Sequence, residues 1–145
     1  MFKHILLPTD GSDLSERAVL AGVSFAKDIG ARVTGMTVTP EFHTFTYKTE
    51  MLEDTEEEFN ASTQRQASTN LAVITDAATR SHVPCDVLQV TSDEPWAAIL
   101  QASKERGCDL IIMASHGRRG LKALILGSET QKVLVHSGIP VLVYR

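Results

Sequence analysis

Short apolar runs alternate along this chain with longer stretches whose apolar residues recur every three to four positions. The first run, His4-Ile5-Leu6-Leu7-Pro8, reads as a buried strand stopped by proline. Thr9-Asp10-Gly11-Ser12 follows as a turn rich in capping residues, and Ala18, Ala21, Gly22, Phe25 and Ala26 then lie at helical spacing up to a closing Gly30. Arg32 to Val38 is a second strand, ended by Pro40. The segment 41–50 has no period and reads as a loop. A long polar segment carries one stripe of Leu52, Phe59, Thr63, Ala67, Leu71, Ile74 and Ala78, weak at first and firmer after Ala67. Pro84 resets the chain, and Val87 to Val90 is a third strand. Ser92 or Asp93 is placed to cap the next helix, with Pro95 in its first turn and Trp96, Ile99, Leu100 and Ser103 facing inward as far as Gly107. Leu110 to Ala114 is the fourth strand. Ser128-Glu129-Thr130-Gln131 has capping-box form, and Pro140 introduces a fifth strand, Val141 to Tyr144.

This order, with near-continuous apolar strands, implies an α/β fold: an open parallel sheet with helices on both faces and right-handed crossovers. At 145 residues the chain is expected to form one domain, 1–145. A net charge of -4 argues against nucleic acid as a partner, because neutralising phosphates needs a basic face. The apolar run from Met1 to Leu7 is ended too early by Asp10 for a signal peptide or membrane span, so a cytoplasmic location is expected. Cys85 and Cys108 fit no metal spacing, and no metal site is expected. The acidic group Glu53, Asp54 and Glu56 to Glu58 fits a solvated helix face better than a docking surface.

The chemistry concentrates in the last third. The strand Leu110 to Ala114 runs into Ser115-His116-Gly117-Arg118-Arg119-Gly120, and Gly127-Ser128 opens the last helix. A helix N-terminus presents unpaired N–H groups with partial positive charge, and glycine lets backbone approach a ligand, so this suits phosphate. Neither G-x-x-x-x-G-K-[ST] nor G-x-G-x-x-G occurs. By spacing alone a surface loop before an ordinary cap fits equally well. Position adds weight, since ligands of open α/β sheets bind beyond the carboxyl ends of strands. If the first and fourth strands are neighbours, the turn at Asp10 faces the glycine loop, and Asp10 can accept from ribose hydroxyls. Asp10 also fits a plain helix cap.

Two motifs together resemble the universal stress protein family over the whole length: the opening Ile5-Leu6-Leu7-Pro8-Thr9-Asp10-Gly11-Ser12, and Ala114-x2-Gly117-x9-Gly127-Ser128 followed by a helix and Pro-Val-Leu-Val. The resemblance implies a Rossmann-like, five-stranded sheet in order 3-2-1-4-5. That order sets the third and fourth strands about 14 Å apart, which separates Cys85 from Cys108. It further implies a homodimer through the edge strand Val141 to Tyr144. The ligand implied is ATP or AMP, with or without Mg²⁺. Pro8, Thr9 and Asp10 would line the adenosine pocket, Val38 would touch adenine, and Met113 and Ala114 would run beside the ribose. Gly117, Gly127, Ser128 and Glu129 would offer backbone groups to the phosphates, and Ser128 its hydroxyl. Ser115 and His116 belong to the same loop, His116 as a positioning group. Arg118 and Arg119 would screen phosphate charge, with Lys122 left as surface.

The family pattern has glycine where this chain has Ala114, which matters if that position needs positive φ. No catalytic residue is assigned. The implied function is a nucleotide-dependent regulator of a partner protein in the stress response, with slow ATP hydrolysis as the alternative.

Overall fold

The computed structural model describes residues 1–43, 56–117 and 125–145. Strands β1 (His4–Pro8), β2 (Arg32–Thr39), β3 (Cys85–Thr91), β4 (Leu110–Ala114) and β5 (Val141–Tyr144) alternate with helices α1 (Asp13–Ile29), α2 (Glu56–Ser81), α3 (Pro95–Glu105) and α4 (Ser128–His136). The strands form one parallel sheet in order β3-β2-β1-β4-β5. This is the order expected, and Cys85 and Cys108 are both free thiols. Burial pushes the Cys108 thiol up to about 11, which keeps it protonated and unreactive.

Because successive strand residues point to opposite faces, the apolar run of β1 feeds two cores. Ile5 and Leu7 join Val19, Val23 and Ile74 under α1 and α2. Leu6 joins Met36, Ile99, Ile111 and Val133 under α3 and α4. Ile5, Leu6 and Leu7 are all fully buried, each burial stabilising the fold by about 1.5–3 kcal/mol. Helix α1 starts where the Ser12 side chain accepts from the Ser15 N–H, and ends at Gly30, whose φ of 71° only glycine adopts freely. α2 lies close on the sheet because Gly35 has no side chain; a Cβ there would overlap Ile74.

Two helix starts differ from expectation. α3 begins after Glu94, which makes no side-chain cap. Ser92 Oγ instead accepts from Glu94 N–H within the preceding turn (3.1 Å), and Asp93 accepts from Glu41 N–H (3.1 Å). Neither predicted cap is therefore available to the helix. At α4 the N-cap is Gly127, and Ser128 is already the first helical residue, so no capping box forms. Gln131, which would have closed it, instead donates its Nε2 to the Leu126 carbonyl (2.7 Å), and Thr130 Oγ1 donates to the Ala114 carbonyl (2.9 Å).

At the amino ends of the strands, polar side chains form a closed network. Arg32 Nη2 donates to His4 Nδ1 (3.0 Å), which leaves the proton on Nε2 to donate to Thr34 Oγ1 (2.7 Å). Thr34 Oγ1 donates to Asp86 Oδ1 (2.7 Å), and Arg106 Nη1 donates to Asp86 Oδ2 (2.8 Å). Burial and then the Arg32 charge hold the His4 imidazole below its ordinary value, outweighing Asp86 and Asp109.

Candidate functional site

The carboxyl ends of the strands are built differently. β1 pairs with β2 as far as Pro8, but with β4 only at Ile5–Leu110 and Leu6–Ile111. The ladder between β1 and β4 stops before either strand does, and a crevice opens where the strand order reverses.

On one side of the crevice is the turn after β1. Thr9 is anchored by its N–H to the Met36 carbonyl (2.8 Å), and its own carbonyl accepts from Thr37 Oγ1 (2.8 Å). Asp10 Oδ1 accepts from Ser12 N–H (3.0 Å) and Ser15 Oγ (2.9 Å). These bonds fix the carboxylate at the start of α1 and leave Oδ2 directed at the other side. There it touches Gly117: a Cβ on Gly117 would overlap it.

On the other side, β4 ends in Met113 and Ala114, both buried. Ser115 N–H donates to the Tyr144 carbonyl (2.8 Å), and Gly127 N–H donates back to the Ser115 carbonyl (2.7 Å). His116 Nδ1 lies 3.2 Å from Ser115 Oγ. A Cβ on Gly127 would come within 3.1 Å of His116 Cα. A side chain at 117 would displace the Asp10 carboxylate, and one at 127 would crowd the His116 backbone; neither glycine is among the described residues with positive φ. Among the described residues no side chain caps α4, so the N–H groups of Ser128 and Glu129 point out of the helix at its amino end. Ser128 itself is exposed.

Ala114 settles the question its methyl group raised. It lies within β4, opposite Tyr144, and packs in a small cluster with Leu14, Ala18 and Tyr144. Its φ is not positive, so alanine carries no strain there.

A cleft of about 330 Å³ adjoins Asp10. One wall is the end of β2, Thr37 to Pro40, and includes Val38. The other is the inward face of α2, from Ser62 to Asn70. The sequence reading placed Thr63 and Ala67 on a buried stripe but assigned α2 no part in a site. The available signal was Gln66 and Asn70, two amides one turn apart on the flank of that stripe.

Glu129 holds a second function that its place in the motif did not reveal. Its Oε2 accepts from the Trp96 N–H (2.8 Å), so its carboxylate supplies the cap that α3 lacks and ties the two helices together. Arg118, Arg119 and Lys122 lie outside the described residues. The described residues include one grouping with metal-ligand atoms, Glu41, His43 and Asp93, within 4.8 Å of one another and all exposed. Asp93 there already accepts from Glu41 N–H and from His43.

The profile of the Universal stress protein family matches residues 1–145. The chain belongs to that family. It is 32% identical over 145 residues, all of both chains, to the universal stress protein in the QAH/OAS sulfhydrylase 3′ region of Thermus aquaticus. Its fold is similar to the solved structure of the hypothetical protein MJ0577 of Methanocaldococcus jannaschii, with a TM-score of 0.81, 29% identity, and coverage of 99% of this chain and 96% of that one. Two more distant structural relatives were solved with nucleotides. A universal stress protein in complex with cAMP has a TM-score of 0.69 at 22% identity, over 99% and 97% of the two chains. One from Archaeoglobus fulgidus in complex with dAMP has a TM-score of 0.70 at 15% identity, over 100% and 98%. At these identities they speak for the fold alone. No described helix is long and apolar enough to cross a membrane.

Proposed function

We propose that the 145 residues act as a single domain that binds an adenine nucleotide, ATP or AMP, and signals its occupancy to a partner protein in the cytoplasm under stress. The observation that carries this reading is the meeting of Asp10 with Gly117 across the crevice between β1 and β4. It puts a fixed carboxylate, suited to ribose hydroxyls, against a glycine backbone that leads to an uncapped helix N-terminus. The base then occupies the cleft beside Val38, the ribose lies between Asp10 and the Met113–Ala114 end of β4, and the phosphates meet Gly117, Gly127, Ser128 and Glu129 backbone groups. Ser115 and His116 hold the loop, and Arg118 and Arg119 offset phosphate charge. The nucleotide complexes of the two distant relatives are consistent with this assignment.

The same reading makes the chain a homodimer through β5. This edge strand exposes Leu142, with Leu134 and Val135 of α4 also exposed, and pairing with a second copy removes an apolar edge.

A thermal-shift panel with ATP, ADP, AMP, GTP and cyclic AMP, each with and without Mg²⁺, tests the binding. A ligand at 100 times its Kd adds about 2.7 kcal/mol of stability. An adenine nucleotide should give that shift without sustained hydrolysis. No shift with any of them would sink the reading, and steady turnover would replace a regulator with an ATPase.

A further inference from the structure

We propose that Asn70, oriented by Gln66, is the residue that selects the base, favouring a 6-aminopurine over a 6-oxopurine. The inference rests on the nucleotide reading of the cleft and adds what that reading lacks, a group that recognises the base edge.

Several of the polar side chains that line the cleft are already engaged. Thr37 Oγ1 is spent on the Thr9 carbonyl, and Thr39 Oγ1 on the Val90 carbonyl and Thr91 Oγ1. Asp10 Oδ1 is spent on Ser12 and Ser15. Asn70 differs. It is 7% exposed, on a stripe whose other buried members are Ala67, Ile74, Ala77 and Ala78. Its Oδ1 accepts one hydrogen bond, from Gln66 Nε2 (2.9 Å). Its Nδ2 forms none among the described residues, yet it is not a sealed, unsatisfied atom, so its hydrogens open on the cleft that Asn70 lines. The i,i+4 bond to Gln66 uses the oxygen end of this amide and leaves its nitrogen end to the cleft. A donor that opens on a cleft, on a side chain otherwise buried, is placed to bond a ligand that enters it.

The pinned orientation decides which ligand. Gln66 fixes the oxygen end of Asn70, which keeps one free lone pair beside the two Nδ2 hydrogens. An adjacent acceptor and donor match adenine, which offers its N6 amino hydrogens next to a ring-nitrogen acceptor. Guanine places O6 where adenine has its amino group, so two carbonyl oxygens would face each other. Gln66 is exposed and lines the same cleft one turn before Asn70, whose oxygen end it holds.

Calorimetric titrations of the full chain with AMP, GMP and ribose 5-phosphate test this, using wild type, Asn70→Leu and Gln66→Ala. The wild type should favour AMP over GMP by about tenfold or more. Asn70→Leu should bring that ratio close to one while leaving ribose 5-phosphate affinity unchanged. Gln66→Ala, on the surface and safe for folding, should reduce the ratio part of the way. Wild-type preference retained in both variants would overturn the assignment and leave the nucleotide site standing. Failure of the wild type to bind either AMP or ribose 5-phosphate would remove the nucleotide reading and this one together.

Discussion

The two ends of the sheet use the same kinds of residue to opposite effect. At the amino ends of the strands, His4, Thr34, Asp86, Arg32 and Arg106 hydrogen-bond one another. At the carboxyl ends, Asp10 is held by Ser12 and Ser15 and lies against Gly117, and among the described residues no side chain caps α4. A saturated network stabilises a fold, whereas a network with preorganised gaps is a binding site. The contrast follows from topology, since helices enter from the carboxyl ends and their N-termini collect there.

The largest effect should come from filling one gap. Gly127→Val adds a branched side chain whose Cβ lies only 3.1 Å from His116 Cα, and so crowds the Ser115–Gly127 closure. Gly127 is outside the core, so the variant should unfold in a single cooperative transition. Its affinity for AMP should fall by at least about 100-fold, equivalent to roughly 2.7 kcal/mol. Full affinity in titration calorimetry would mean that the phosphates bind elsewhere and that the open end is not open for them.

The amino end should respond in stability alone. Thr34→Val removes the hydroxyl between His4 and Asp86 and leaves a buried imidazole N–H without an acceptor, a loss of about 1–3 kcal/mol. Urea denaturation should show that loss with AMP affinity unchanged. The same end also predicts a pH signature. His4 is held below 6.5 in the folded state, first because burial disfavours the charged imidazolium and then because a second proton would sit on Nδ1 facing the Arg32 guanidinium. Between the folded and unfolded values the unfolded chain binds the proton and the native one does not. The His4 contribution to stability is therefore complete above about 6.5, declines as pH falls, and levels off below the folded value. His4→Gln should flatten the stability profile in that interval. An unchanged profile would show that the network is not closed against protons.

The comparison also explains what the sequence disclosed. The strands were legible because Ile5-Leu6-Leu7 and Leu110 to Met113 are apolar without interruption, which only a doubly covered sheet tolerates. Gly30 and Pro40 marked ends correctly because their effect is local. The helix caps were misread where the capping groups were taken by other partners, Asp93 by Glu41 and Gln131 by the Leu126 carbonyl, and where Glu129 crossed to cap α3. None of those pairings has a sequence spacing that announces it. Asn70 was missed for a related reason. A single amide on a weakly amphipathic helix looks like surface until the fold brings it opposite Val38.

The smallest effect is expected where the motif itself looked weakest. Ala114→Gly would restore the family's first glycine. The strand conformation of Ala114 and its packing on Leu14, Ala18 and Tyr144 mean that the methyl group stabilises the end of β4 and obstructs nothing. The substitution should lower stability by about 0.5–1 kcal/mol, through the chain entropy glycine adds to the unfolded state, and change AMP affinity by less than about twofold, within roughly 0.4 kcal/mol. A tenfold gain in affinity would show that the ligand needs the space the methyl group fills. The end of β4 would then be part of the open region, and the boundary between scaffold and site would lie one residue earlier than the hydrogen bonds place it.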